Sequence, residues 1–165
     1  MITFAIKQKI LCVCMILLIL FSITSPNSKV QADTIPPGVA ETYRNNIVSQ
    51  ASSYLGVPYV FGGMSSSGVD CSGLALLVYR NAGFIAWDSY AHNTYSIHTS
   101  LVNAGCSGSS SPQHKGCVFF SNSYSHMGVY VGDGMIIHAP GSDQTVCCVS
   151  AGSGKTYFKP VAWMY

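Results

Sequence analysis

The chain is 165 residues long, and a composition of 48% hydrophobic and only 8% charged residues, with ten tyrosines, is that of a globular protein with a substantial core, which excludes disorder. The formal net charge is +2, and with the first 32 residues set aside five basic residues face six acidic ones. Nothing in that balance supports nucleic-acid or polyanion binding by bulk electrostatics.

Lys7 and Lys9 precede an apolar run from Ile10 to Phe21, and a polar segment then leads to Val30-Gln31-Ala32. This is the pattern of a secretory signal peptide. The run is too short to span a bilayer, which takes roughly 20 apolar residues. Cleavage after Ala32 is therefore expected, with no membrane attachment afterwards and the protein secreted or held at the cell wall; a retained anchor is the alternative. Leu11, before Cys12, is not the small residue that lipoprotein processing wants. A short linker, 33–38, then leads into a single domain over 39–165.

Val39, Tyr43, Ile47, Ala51 and Leu55 recur at four-residue steps and predict an amphipathic helix, which Gly56 and Pro58 end. Gly62-Gly63 and the stretch Ser65 to Gly68 form a loop ahead of Cys71. Leu74, Leu77 and Val78 then predict a second helix that stops near Asn81-Ala82-Gly83. Cys71 falls in the first turn of that helix, where unpaired N–H groups and the helix dipole are expected to favour a thiolate and lower the thiol pKa. An inert buried cysteine is the other reading of the same position.

Periodicity fades from Phe84 to Gly116, and the Ser/Gly-rich span from Asn103 to Gly116 reads as a long loop bordering the cleft. Short β-like runs follow at Cys117 to Phe120, His126 to Val131, Met135 to Ala139, Thr145 to Val149 and Tyr157 to Trp163. Helices first and strands afterwards predict an α+β fold, with the N-terminal helices packed on an antiparallel sheet. Beyond the leader the cysteines are Cys71, Cys106, Cys117, Cys147 and Cys148, an odd number. At least one disulfide among the last four, leaving Cys71 free, is expected of an exported protein. The pairing stays open, except that the adjacent Cys147 and Cys148 point to opposite faces of a strand and cannot easily join each other.

The run from His126 to Val131, Gly132-Asp133-Gly134, and Met135 to Ala139 reads as a hairpin. With a three-residue loop, Val131 faces Met135, Tyr130 faces Ile136 and Gly128 faces His138. His126 and His138 then share a face, about 7–8 Å apart on the diagonal, whereas a two-residue loop would shift the pairing by one and separate them. The opposite face, Met127, Val129, Val131, Ile137 and Ala139, belongs to the core. A thiol, an imidazole to take its proton and a third group to fix that imidazole's tautomer are the needs of thiol hydrolysis.

Four stretches, Gly56-Val57-Pro58-Tyr59-Val60-Phe61-Gly62-Gly63, Asp70-Cys71-Ser72-Gly73-Leu74, Val118-Phe119-Phe120 and the hairpin from His126 to Pro140, together resemble the NlpC-type (NlpC and p-sixty) cysteine endopeptidases of bacterial cell walls. The resemblance implies a papain-like fold, with Cys71 as nucleophile, His126 as general base and His138 as the orienting residue. It implies that Tyr59 lines the cleft and helps hold the oxyanion. Asp70, Ser72, Asp88 and Ser89 match positions that bind substrate, and Asp70 and Asp88 could pair with a free peptide amine. The substrate implied is a peptidoglycan stem peptide cut between γ-D-glutamate and the diamino acid, by a monomer that needs no cofactor. Trp87 and His92 stand where relatives often carry Arg and Gln, and Lys115-Gly116-Cys117 replaces the usual Gly-Asp-Leu. Rival readings are an N-acetylmuramoyl-L-alanine amidase of the same thiol class, a non-catalytic wall-binding module, and a zinc site built from Cys71, His126 and His138.

Overall fold

A computed structural model describes residues 37–159. The leader, most of the linker and everything after Lys159 lie outside the described residues. Helix α1 (Pro37–Ser53) starts two residues before the predicted domain boundary. It buries Ala40, Ile47 and Ala51, with Tyr43 and Tyr54 against the same core, while Val39 and Leu55 at its two ends stay exposed.

Gly56 turns the chain at φ 83°. The next residues run beside 144–146, where the Gly56 N–H donates to the Val146 carbonyl at 2.9 Å and the Tyr59 N–H to the Gln144 carbonyl at 2.8 Å. A small hairpin, β1 (Met64–Ser65) and β2 (Gly68–Val69), returns to the second helix, α2 (Cys71–Asn81). Asp70 is its N-cap, in extended backbone, with its carboxylate accepting the Gly73 N–H at 2.7 Å. Ser72 to Leu76, Val78 and Tyr79 are all buried, so α2 is wrapped on every side.

Two elements stand where sequence periodicity faded. A 3₁₀ turn (Ile85–Ser89) inserts Trp87 into the core, stacked on Tyr79 with ring centroids 4.1 Å apart. Helix α3 (Thr94–Asn103) is capped by the Asn93 side chain and buries only Ile97 and Leu101, a one-turn signal too narrow to read as a stripe. The Ser/Gly-rich stretch is also not all loop, since β3 (Gly108–Ser109) pairs with the last strand.

Strands β4 (Val118–Ser121), β5 (Met127–Gly132), β6 (Met135–His138), β7 (Cys147–Ser150) and β8 (Lys155–Phe158) complete an antiparallel sheet in the order β3-β8-β4-β5-β6-β7. Alternation sorts its side chains. Val118, Phe120, Met127, Val129 and Ile137 pack with the helices, while Phe119, Ile136 and Tyr157 gather on the other face. No disulfide joins the five cysteines of the described residues. The disulfide expected among the last four is therefore not made, and Cys106 and Cys117 lie in clusters on opposite faces of the sheet.

The β5–β6 connection differs from expectation and reaches the same result. Gly132, not Val131, faces Met135, which leaves a two-residue turn with positive φ at both Asp133 (51°) and Gly134 (73°), the requirement of a type I′ turn. A bulge at Val131 then restores the pairing of Tyr130 with Ile136 and of Val129 with Ile137. Two-residue loop and shared histidine face thus coexist, because the extra residue sits in the strand. Deleting Asp133 should therefore be tolerated: Gly132-Gly134 becomes the turn, Val131 pairs with Met135 and the bulge disappears. Hydrolytic activity within about threefold of the parent, with a small loss of melting temperature, is the expected result; loss of activity with the fold retained would show that the bulge itself is needed.

Candidate active site

Cys71 is the first residue of α2, at the floor of a cleft. The cleft is lined further by Tyr59, Phe61, Asp70 and Ser72, by His92, Asn93 and Thr94, and by Ser125. The sulfur lies 3.8 Å from the Thr94 hydroxyl and receives hydrogen bonds from the Met127 and Ser72 N–H groups. Met127 follows His126 directly, so the start of β5 is brought to the nucleophile helix.

Across the hairpin the His126 Nε2 and His138 Nδ1 atoms are 2.7 Å apart, with the rings edge to face at 75°. Gly128 makes this possible, because a Cβ there would lie 2.9 Å from the His138 Cβ, 2.7 Å from the Phe119 ring and 2.6 Å from the Ile137 carbonyl. Phe119 lies alongside both imidazoles, its ring centroid 6.1 Å from that of His126 and 6.4 Å from that of His138. The loop before His126 is fixed by a chain of hydroxyls. The His126 N–H donates to Ser121 Oγ at 3.2 Å, Ser121 and Ser123 are 3.3 Å apart, and Ser123 and Ser125 are 2.6 Å apart. Tyr124 takes a φ of 53° there and sets its ring 4.1 Å from that of His98.

Electrostatics favour neutral partners at rest. Burial pushes the Cys71 thiol up and Asp70 adds to this, against the lowering by Thr94 and the Met127 and Ser72 N–H groups. The sequence reading expected a lowered value from the helix end. A helix terminus supplies about 0.3–1 kcal/mol, under one pKa unit, whereas burial can move a group by several. His126 is pushed down to about 4 by burial, then by His138 and Lys155, and His138 is lowered by burial and Lys155. Burial, Cys71 and Asp70 hold the Tyr59 phenol above its usual value, so it stays a proton donor.

Asp70 lines the cleft, with its carboxylate bonded mainly within the protein. One carboxylate oxygen accepts from the Gly73 N–H (2.7 Å) and Ser72 Oγ (2.8 Å) and contacts His92 Nε2 (2.9 Å), and the other accepts from the Gly62 N–H (2.9 Å). Burial opposes these bonds, yet its pKa is lowered, and the group acts as a clamp on the nucleophile loop. Ser72 lines the cleft with its hydroxyl given to that clamp. Asp88 and Ser89 are not among the residues lining the cleft. Asp88 pairs with Arg80 at 3.3 Å and Ser89 donates to the Ala86 carbonyl. The 3₁₀ turn is oriented by buried Trp87, whose carbonyl accepts from Arg80 Nε at 3.0 Å.

His92, Thr94 and Ser125 are cleft residues that sequence reasoning missed as such. The signal for the first two was Asn93, a capping residue followed by Ile97 and Leu101 at helical spacing. Among the described residues no group of three or more His, Cys, Asp or Glu is placed to hold a metal ion. The His126 and His138 nitrogens that face each other are spent on their mutual bond.

Comparison with known proteins agrees with this geometry. The sequence profile of the NlpC/P60 family matches residues 56–162. The chain is 36% identical over 106 residues to the gamma-DL-glutamyl hydrolase of Bacillus subtilis (strain 168), covering 59% of this chain and 24% of that protein. It is 35% identical over 102 residues to a probable peptidoglycan endopeptidase, LytE, of the same organism, covering 60% of this chain and 28% of that one. The chain thus spans about a quarter of the length of these curated relatives. Among solved structures, the NlpC/p60 domain of the peptidoglycan hydrolase SagA superposes with a TM-score of 0.56 at 29% identity, covering 69% of this chain and 97% of that domain.

Proposed function

This chain belongs to the NlpC/P60 family, and we propose that it is a cysteine peptidase that hydrolyses the γ-D-glutamyl to diamino-acid bond of peptidoglycan stem peptides, with Cys71, His126 and His138 as its catalytic triad. The observation that carries this reading is the 2.7 Å contact between His126 Nε2 and His138 Nδ1, made one residue before Met127, whose N–H bonds to the Cys71 sulfur. It leaves His126 Nδ1 to face the thiol. For Nδ1 to accept a proton, His126 must carry its own on Nε2 and donate it to His138 Nδ1, and His138 then keeps its proton on Nε2. One hydrogen bond thereby fixes both tautomers.

His126 takes the thiol proton as the sulfur attacks the carbonyl carbon. The Cys71 backbone N–H and the Tyr59 hydroxyl receive the developing oxyanion. The imidazolium returns its proton to the leaving amine, the C–N bond breaks and a thioester remains. Water, deprotonated by His126, then releases the acid and restores the thiol. Because both groups are neutral at rest, the ion pair forms during the reaction rather than before it. Residues 1–32 serve in this reading as an export leader that brings the domain to its wall substrate.

Digestion of purified peptidoglycan with mass spectrometry of the fragments tests this. New γ-D-glutamyl carboxyl ends and free diamino-acid amines are expected. Cleavage between the muramyl lactyl group and L-alanine would make the protein an amidase, and intact wall after prolonged incubation would leave it a binding module.

A further inference from the structure

On the sheet face that carries the two histidines, β8 contributes Lys155. It pairs with Ser121 in register, and Ser121 is bonded in both directions to the His126 backbone, so the three residues form one row across β8, β4 and β5. The next row holds Tyr157, Phe119, Gly128, His138 and Cys147. The Lys155 ammonium donates to the Ala151 carbonyl and stands 5.7 Å from the centre of the Phe119 ring, the ring that lies against both imidazoles. A cation is thus pinned at a fixed place behind the base by a carbonyl and an aromatic face.

We propose that Lys155 is a positioning residue that acts through His126 and His138, a built-in positive charge that keeps both imidazoles in the free-base form. This role deepens the peptidase reading and rests on it for its catalytic meaning. The titratable groups that face the pair are Cys71 from α2, Cys147 from β7, and Lys155 and Tyr157 from β8. Of these Lys155 acts on both histidines through its charge, and no carboxylate opposes it. A nearby cation disfavours imidazolium, so the base remains available as the medium turns acid.

Histidine NMR titration of the purified protein, run beside pH profiles of kcat/KM on stem peptide, tests the role. In Lys155→Met, which keeps the aliphatic stem over Phe119, the His126 midpoint should rise by about one pH unit. The acid limb of kcat/KM should move up with it, an activity loss of about threefold near pH 4.5 relative to the pH optimum. Lys155→Gln should behave alike and Lys155→Arg should retain the parent midpoints. Unchanged midpoints in the neutral variants would overturn the role, as would an equal shift in the Arg variant. If both neutral variants fail to fold while the Arg variant folds, Lys155 is structural and the proposal falls. Shifted midpoints in a protein that cuts no wall would defeat the peptidase reading while leaving the electrostatic one standing.

Discussion

Cys71→Ala should lose hydrolysis by a factor of about 10⁴ or more while keeping its fold. The side chain is small and part-exposed, its polar contacts are a 3.8 Å approach to Thr94 and the Met127 and Ser72 amides, and the stability cost should stay within about 1 kcal/mol. His126→Ala should be nearly as severe, because the proposed base is lost. His138→Gln should fall only about 10- to 100-fold, since an amide oxygen can still receive the His126 Nε2–H and hold its tautomer. Turnover on stem peptide with matched melting curves checks the series. Parent-like rates in Cys71→Ala would remove the nucleophile assignment, and equal losses in the two histidine variants would remove the division of roles between base and orienter.

Gly73→Ala should destabilise the protein by about 3 kcal/mol, lower its melting temperature by about 10 °C and cut activity at least 100-fold. A Cβ at that position would lie 2.1 Å from the Gly63 carbonyl oxygen and 2.9 Å from His92 Nε2. The first obstacle is backbone, and the same carbonyl accepts the Asp70 N–H at 3.0 Å. Relief therefore means prying the 60–63 loop off the helix end, with the Asp70 clamp and Tyr59 going with it. Gly38→Ala is the control. Nothing lies within 4 Å of that site, which is inside α1, and the added helix propensity should raise stability by about 0.5–1 kcal/mol. Similar melting temperatures for the two variants would show that the loop yields more easily than its hydrogen bonds imply.

The helices on either side of the nucleophile loop were legible because each has a wide apolar face or a strong cap, and Asp70 followed by Cys71 and a run of Leu and Val has both. The histidine face was legible because a strand's period of two leaves few choices once Tyr130 and Ile136 are paired. What periodicity missed was short or narrow: α3 buries two side chains, and β3 contributes two residues to the sheet edge. The turn chemistry misled on detail, since Gly-Asp-Gly fits a two- or a three-residue loop and only the bulge at Val131 tells them apart. The direction of the Cys71 shift could not be read from sequence. It depends on how far burial outweighs the hydrogen bonds that Thr94 and Met127, residues distant in the chain, bring to the sulfur. Asp70 illustrates a different limit, because the sequence does not show that its carboxylate also ties together Gly62, Ser72, Gly73 and His92.

The nucleophile stands on a helix packed against one face of the sheet, and the proposed base and its orienter project from the other, meeting it only where β5 begins. Neither layer holds the reactive pair alone. A chain still emerging from synthesis carries its thiol without the strands that supply an imidazole, and an unfolded chain carries both at a useless distance. The proposed hydrolytic competence therefore requires helix and sheet to be docked. Parting helix from sheet would silence the proposed chemistry without altering one of its residues.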